Sequence, residues 1–125
     1  MANKKKILVI DDEKTLREIV KFYLETTERY EVSGAANGRE GLSMAKRNQP
    51  DLILLDIFMP EMSGNDVMEH LMDDIATRNI PVIFLTGVIS KEEISIQGGV
   101  IGGRRFIAKP VASEELIQVI DSALQ

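Results

Sequence analysis

The chain has no cysteine and one histidine in 125 residues. The first absence excludes disulfides, thiolate catalysis and every cysteine-based zinc site. A single histidine excludes the H-E-x-x-H arrangement of zinc hydrolases. Long apolar runs are also missing, and none approaches the ~20 residues that span a membrane. The opening Met1-Ala-Asn-Lys-Lys-Lys6 has the basic character of a signal peptide, but the apolar run behind it, Ile7 to Ile10, is too short for one and stops at two aspartates. Positive charge is in deficit: 15 Lys and Arg face 20 Asp and Glu, a net charge of -5. An acidic domain repels phosphate backbones, so neither nucleic acid nor a membrane is expected as a direct partner. The chain is expected to be soluble and cytoplasmic. Its length fits one domain, residues 1–125, which buries about two-thirds of its surface on folding and needs no covalent staples.

What the chain does have is an alternation. Short β-branched runs occur at Ile7–Ile10, Val32–Ala36, Leu52–Leu55, Pro81–Leu85 and Arg105–Ala108. The first, third and fourth are apolar at successive positions, as in central strands of a parallel sheet covered on both faces. Between them lie helical stripes: Leu16, Ile19, Val20, Tyr23 and Leu24; Val67, Met68, Leu71, Met72 and Ile75; and Leu116, Val119, Ile120, Ala123 and Leu124. A shorter helix is expected over Gly41 to Arg47, after the Asn37-Gly38 turn signal. Ser113, followed by Glu114 and Glu115, marks the start of the last helix. The fourth helix is expected to open on the capping box Ser90-Lys-Glu-Glu93 and to end at Gly102. Gly98 and Gly99 inside it each cost about 1 kcal/mol relative to Ala, and they suit either close backbone packing or a stretch from Gly98 to Gly103 that is partly unwound at rest. Five strands and five helices in alternation predict an α/β doubly wound parallel sheet, with right-handed crossovers.

Ligands of such sheets bind at the carboxyl ends of the strands. Asp11 and Asp12 follow the first strand, Asp56 ends the third, Thr86 follows the fourth and Lys109-Pro110 follows the fifth. Each has an ordinary explanation, such as Asp11 or Asp12 capping the next helix. Together they put three carboxylates, a hydroxyl and an ammonium at one sheet edge. Two carboxylates about 4 Å apart repel by roughly 4 kcal/mol at an effective dielectric near 20, so the group needs a cation. Oxygen ligands without His or Cys point to Mg²⁺. A cation, an ammonium and a hydroxyl around one carboxylate are the parts that phosphoryl transfer requires.

The runs Ile7-Leu-Val-Ile-Asp-Asp12, Leu54-Leu-Asp-Ile-Phe-Met-Pro60 with Gly64, Phe84-Leu-Thr-Gly87 and Phe106-Ile-Ala-Lys-Pro110 resemble the receiver domain of two-component response regulators, over essentially the whole chain. The resemblance implies a flavodoxin-like sheet of strand order 2-1-3-4-5. It makes Asp56 the phosphoacceptor, with Asp12 touching Mg²⁺ directly, Asp11 through water and the Phe58 backbone carbonyl completing the protein ligands. It makes Thr86 and Lys109 the phosphoryl-stabilising pair and Phe106 the switch aromatic. Pro60 belongs to the site loop, and Lys109-Pro110 is expected to be cis. The implied partners are a sensor histidine kinase or phosphotransfer protein, and a downstream protein or output domain read through the fourth helix, the fifth strand and the last helix; a phosphorylation-dependent dimer is compatible with the same face.

Some residues depart from the pattern or stand outside it. Arg104-Arg105 are expected to be a solvated pair rather than the basis of dimer salt bridges. Apolar Phe58 and Val88, each two residues past a site residue, favour a long-lived acyl phosphate. His70 is expected at the surface, and Met59 and Met62 in packing roles. A Mg²⁺-dependent phosphatase of the haloacid-dehalogenase type would need D-x-D where this chain has Asp11-Asp12-Glu13, and a cap or more chain. A flavodoxin-like module without phosphorylation would leave the carboxylates unexplained. A stand-alone receiver and one cropped from a DNA-binding regulator read alike, although Met1 suits a natural start.

Overall fold

The computed structural model describes residues 3–88, 92–93, 100–101 and 103–124. Strands β1 (Lys5–Ile10), β2 (Tyr30–Ala35), β3 (Leu52–Asp56), β4 (Val82–Thr86), β5 (Val100–Ile101) and β6 (Arg104–Ala108) form one sheet in the order β2-β1-β3-β4-β6-β5. The five longer strands are parallel to one another, in the order that the resemblance implies. The helices with assigned bounds are α1 (Lys14–Glu25), α2 (Gly38–Asn48), α3 (Gly64–Asp73) and α4 (Ser113–Ala123).

Successive side chains of a strand point to opposite faces, so an unbroken apolar run feeds two cores at once. Ile7, Val9, Leu52, Leu54, Ile83, Leu85 and Ile107 meet Val20 and Leu24 of α1 and Leu116 and Ile120 of α4 on one face. Leu8, Ile10, Ile53, Leu55 and Phe84 meet Ala45 of α2 and Val67 and Leu71 of α3 on the other. Helix α2 lies so close to β1 that a Cβ on Gly41 would come within 2.5 Å of Ile10 Cδ1. Its start is fixed by Asn37, whose side chain accepts from the Glu40 amide at 2.8 Å. Helix α3 opens on a reciprocal box: the Asp66 amide donates to Ser63 Oγ, and the Ser63 amide to the Asp66 carboxylate. Asp at the fourth box position, in place of the usual Glu or Gln, is why this signal is weak in the sequence.

Several expectations need correction. Val100 and Ile101 are not the end of a helix; they pair antiparallel with Arg105 and Arg104 of β6. The physical reason is local: two β-branched residues favour a strand, and Gly103 at φ 81° takes a left-handed conformation that suits the return into β6. Ser90, Lys91, Gly98, Gly99 and Gly102 lie outside the described residues, while Glu92 and Glu93 are helical. Helix α4 begins at Ser113 with its acids in the first turn, but the cap position is Ala112 and carries no side-chain bond. Helix α3 ends at Asp73, so Ile75 falls beyond it and is 77% exposed; Met72, on the flank of the stripe, is 52% exposed.

Side chains also tie down the sheet edge and the last helix. Ala35 and Arg29 carbonyls bond toward β1, so alternate residues of β2 present their backbone outward. Val32 is one of these. Its amide donates to Glu25 Oε2 at 3.1 Å and its carbonyl accepts from Lys21 Nζ at 3.3 Å, the two side chains being themselves paired at 2.9 Å. The α1 ion pair thereby occupies backbone groups that would otherwise template another strand. At the other end of β2 the Tyr30 hydroxyl donates to the Asp121 carboxylate of α4, which Arg29 also holds at 2.8 Å. Burial, and then the Asp121 charge, push the Tyr30 hydroxyl up to about 12. Tyr30→Phe should cost about 1 kcal/mol, read as a lower thermal midpoint at pH 7. The native stability from this group should disappear between pH ~10 and ~12, where the unfolded chain ionises its tyrosine first. An unchanged midpoint in the variant would remove Tyr30 as a tie between β2 and α4.

Candidate functional site

Parallel strands all end at one edge, and there the sheet places the acids together. Ligand oxygens of Asp11, Asp12 and Asp56 lie within 4.8 Å of one another. Asp11 and Asp56 are buried and Asp12 is exposed. Opposite them, Lys109 Nζ stands 2.9 Å from Asp11 Oδ2, 3.3 Å from Asp56 Oδ1 and 3.1 Å from Glu13 Oε1. The contact to Glu13 is a hydrogen bond. Asp11 Oδ2 is buried against the ammonium as a close ion pair, off the alignment of a well-formed hydrogen bond.

Local structure explains why these groups stay where they are. Neither Asp11 nor Asp12 caps α1; Glu13 occupies that position without a side-chain bond. Asp11 instead accepts from the Glu13 amide through Oδ1 at 2.9 Å, and its carbonyl accepts from Arg17 at 2.7 Å. The loop after Asp56 doubles back so that the Gly64 amide reaches the Ile57 carbonyl at 2.7 Å. A side chain at Gly64 would collide with the Asp56 carbonyl and come within 2.8 Å of Ile57 Cα, so this turn requires glycine. The Lys109 amide donates to the Thr86 carbonyl at 2.8 Å, which sets the ammonium-bearing residue beside the hydroxyl-bearing one. The Lys109-Pro110 peptide is cis, as the resemblance implies.

Thr86 is buried, and its Oγ1 accepts from the Val88 amide at 3.1 Å. Phe106 is half-buried and stacks on Phe84 with ring centroids 5.3 Å apart. Arg104 lies over the same Phe84 ring at 5.8 Å, so one of the two exposed arginines also has a ring contact. Pro60 is exposed on the site loop, and the Phe58 and Val88 side chains are 64% and 70% exposed at its rim. His70 is exposed, while Met59 and Met62 pack against the second core. Sequence reasoning missed Glu13 as a partner of Lys109. Its position directly after the two acids was the available signal, but sequence adjacency does not tell which side chain turns toward a residue 96 positions away.

The electrostatics follow from burial. Asp56 is pushed up to about 6, first by burial and then by the Asp11 charge, against the pull of Lys109. Asp11 is raised by burial, which outweighs the Glu13 amide and Lys109. Burial lowers Lys109, but Asp11, Glu13 and Asp56 more than offset it, and the ammonium is held above the usual lysine range. Four carboxylates around one ammonium leave the bowl short of positive charge. With Asp11 Oδ2 buried outside any well-formed hydrogen bond and every ligand atom an oxygen, the site fits a hard cation such as Mg²⁺.

Five parallel strands with this acid bowl at their carboxyl edge define an α/β domain with a candidate cation site, and comparison with known proteins makes the assignment specific. The family model described as response regulator receiver domain matches residues 7–121. The polar-differentiation response regulator DivK of Brucella anthropi is 36% identical over 96% of this chain and 96% of its own length. Response regulator PleD of Caulobacter vibrioides is 42% identical over 85% of this chain, and the transcriptional regulatory protein YdfI of Bacillus subtilis 33% over 96%. The chain spans 23% of PleD and 55% of YdfI. The chemotaxis response regulator CheY4 of Vibrio cholerae superposes with a TM-score of 0.82 at 30% identity, covering 98% of this chain and 100% of that one. The chain belongs to the response regulator receiver domain family. Among the described residues no helix is long and apolar enough to cross a membrane.

A proton on Asp56 removes a like charge, so its raised pKa means that folded stability falls as pH rises from ~4 to ~6. Asp56→Asn should therefore stabilise the metal-free protein at pH 7 by about 1–3 kcal/mol, with the gain shrinking toward zero near pH 4. Denaturant titrations of both proteins at the two pH values check this; an Asn variant less stable than the native chain at pH 7 would contradict it.

Proposed function

We propose that Asp56 accepts a phosphoryl group from a phosphohistidine on a sensor histidine kinase or a phosphotransfer protein, and that the chain works as a switch, consumed as substrate, rather than as a turnover enzyme. The observation that carries this reading is the Lys109 ammonium 3.3 Å from Asp56 beside the acidic pair, in a chain of the receiver family. The Asp56 carboxylate attacks phosphorus; a P–O bond forms as the P–N bond breaks, and the imidazole nitrogen keeps the electron pair. A carboxylate pushed up to about 6 is more basic than an ordinary one and still mostly ionised at neutral pH. Asp12, Asp56 and the Phe58 carbonyl would hold Mg²⁺, with Asp11 reaching it through water, and the ion would supply positive charge to the phosphoryl oxygens.

Phosphorylation adds nearly two negative charges and three acceptor oxygens. Lys109 is already in place to pair with them. The Thr86 hydroxyl accepts from Val88 and keeps its own proton for a phosphoryl oxygen. As Thr86 turns to the new group, Phe106 follows inward and reshapes the face made by the segment between β4 and β6, by β6 and by α4. That face would control a downstream protein or an output domain, or a phosphorylation-dependent dimer, in the cytoplasm. Having Phe at 106 leaves its position to packing and solvation alone. The same site groups also serve the return reaction, hydrolysis of the acyl phosphate, which the exposed apolar Phe58 and Val88 slow by crowding the path of water.

Incubation with acetyl phosphate and Mg²⁺ should add one phosphoryl group to the native chain and none to Asp56→Asn, as read by intact-mass spectrometry. A variant that still labels would move the acceptor elsewhere. Phe106→Tyr should label like the native protein while shifting partner affinity modestly; loss of labelling would place residue 106 in the transfer step rather than in the readout.

A further inference from the structure

The most acidic corner of the site holds a residue that the phosphoacceptor reading does not use. Glu13 is the residue before α1, its amide is pinned by Asp11 Oδ1 at 2.9 Å, and its side chain arches back to accept a hydrogen bond from Lys109 Nζ at 3.1 Å. Lys109 is mostly buried, at 18% side-chain exposure, whereas Glu13 is 63% exposed. The ammonium stands closer to Glu13 than to Asp56, at 3.1 against 3.3 Å. An ammonium has three donors and no acceptor, so a donor committed to the rim is not available to an incoming oxygen on Asp56.

We propose that Glu13 is a positioning residue that holds Lys109 in the resting arrangement and competes with the phosphoryl group for its ammonium. This deepens the phosphoacceptor reading and rests on it. In the resting bowl Lys109 is shared by Asp11, Glu13 and Asp56. When Asp56 carries a phosphoryl group, the bond to Glu13 is exchanged for one to a phosphoryl oxygen, and the exposed Glu13 carboxylate is taken up by water. Because Glu13 is the exposed member, its release costs little, and the residue trims the equilibrium without blocking it.

Two substitutions separate contact from charge. Glu13→Gln removes the charge and weakens the bond. Glu13→Asp keeps the charge, but the side chain is one methylene shorter and, at this helix-cap position, turns toward the amides of α1. Beryllofluoride with Mg²⁺ serves as the phosphoryl mimic, and its midpoint is read by tryptophan-free NMR titration of the native chain and both variants. Both variants are expected to bind the mimic about two- to fivefold more tightly than the native chain, the size of one exposed charged hydrogen bond. A Glu13→Asp variant that behaves as native while Glu13→Gln tightens would reduce Glu13 to a diffuse charge, and unchanged affinity in both would also overturn the proposal.

An independent arm uses the protein without metal or mimic. The ¹⁵Nζ signal of Lys109, slowed in proton exchange by its bond to Glu13, should broaden away in both variants; a sharp signal in either would overturn the proposal. If the native chain fails to bind beryllofluoride, the phosphoacceptor reading fails, and with it the competition. Persistence of the ammonium result in that case would leave Glu13 holding Lys109 for structure alone, which likewise rejects the proposal.

Discussion

The site depends on one ammonium standing among carboxylates that would otherwise drive one another apart. Asp11, Asp12 and Asp56 have oxygens within 4.8 Å of one another, and a like-charge pair at that distance repels by about 3–4 kcal/mol at an effective dielectric near 20. Lys109 offsets part of this from the end of β6, yet burial and the Asp11 charge still push Asp56 up to about 6. The fold therefore maintains an arrangement that is locally unfavourable. That residual deficit of positive charge is also what makes the bowl receptive to a hard cation.

The sheet can hold such a site because it is packed on both faces. Ile7, Val9 and Leu54 lock one side of the strands to α1 and α4, while Leu8, Ile10 and Leu55 lock the other to α2 and α3. Strand ends fixed from above and below cannot drift apart to relieve the repulsion. The backbone at these strand ends is tied down: the Glu13 amide bonds Asp11, the Gly64 amide bonds the Ile57 carbonyl, and the Lys109 amide bonds the Thr86 carbonyl between β6 and β4. The chain belongs to the receiver family and matches DivK over almost that protein's whole length. The larger relatives place the same unit within longer chains, as the 23% coverage of PleD illustrates.

Much of this was legible in the chain. The continuous apolar runs of β1, β3 and β4 specify strands covered on both faces, because only burial on both sides lets successive residues be apolar. The order of acids, hydroxyl and lysine at the strand ends, together with the receiver-like motifs, marks residues that the fold brings to one edge. Other features were not legible. Val100 and Ile101 lie between the Ser90 capping-box signal and Gly102 and so read as helix, whereas their strand pairing depends on β6, which no local signal reports. Ile75 fits a helical stripe that α3 does not reach, since Asp74 leaves the helix in an extended conformation, and Met72 lies in α3 but on its exposed flank. Such ends are decided by competition between local signals of similar strength.

The sequence by itself determined which residues are apolar in succession, which acids follow which strand, and hence the class of fold and that Asp11, Asp12, Asp56, Thr86 and Lys109 share one sheet edge. Only the tertiary structure decided how charge is shared there: that Lys109 hydrogen-bonds Glu13, that Asp11 keeps one buried oxygen outside any well-formed hydrogen bond, and that Glu25 and Lys21 close the outer edge of β2. Periodicity is a one-dimensional property and survives in the string of residues. Pairing among groups 53 and 98 positions apart depends on distances of a few ångströms that exist only once the sheet has brought the strand ends together.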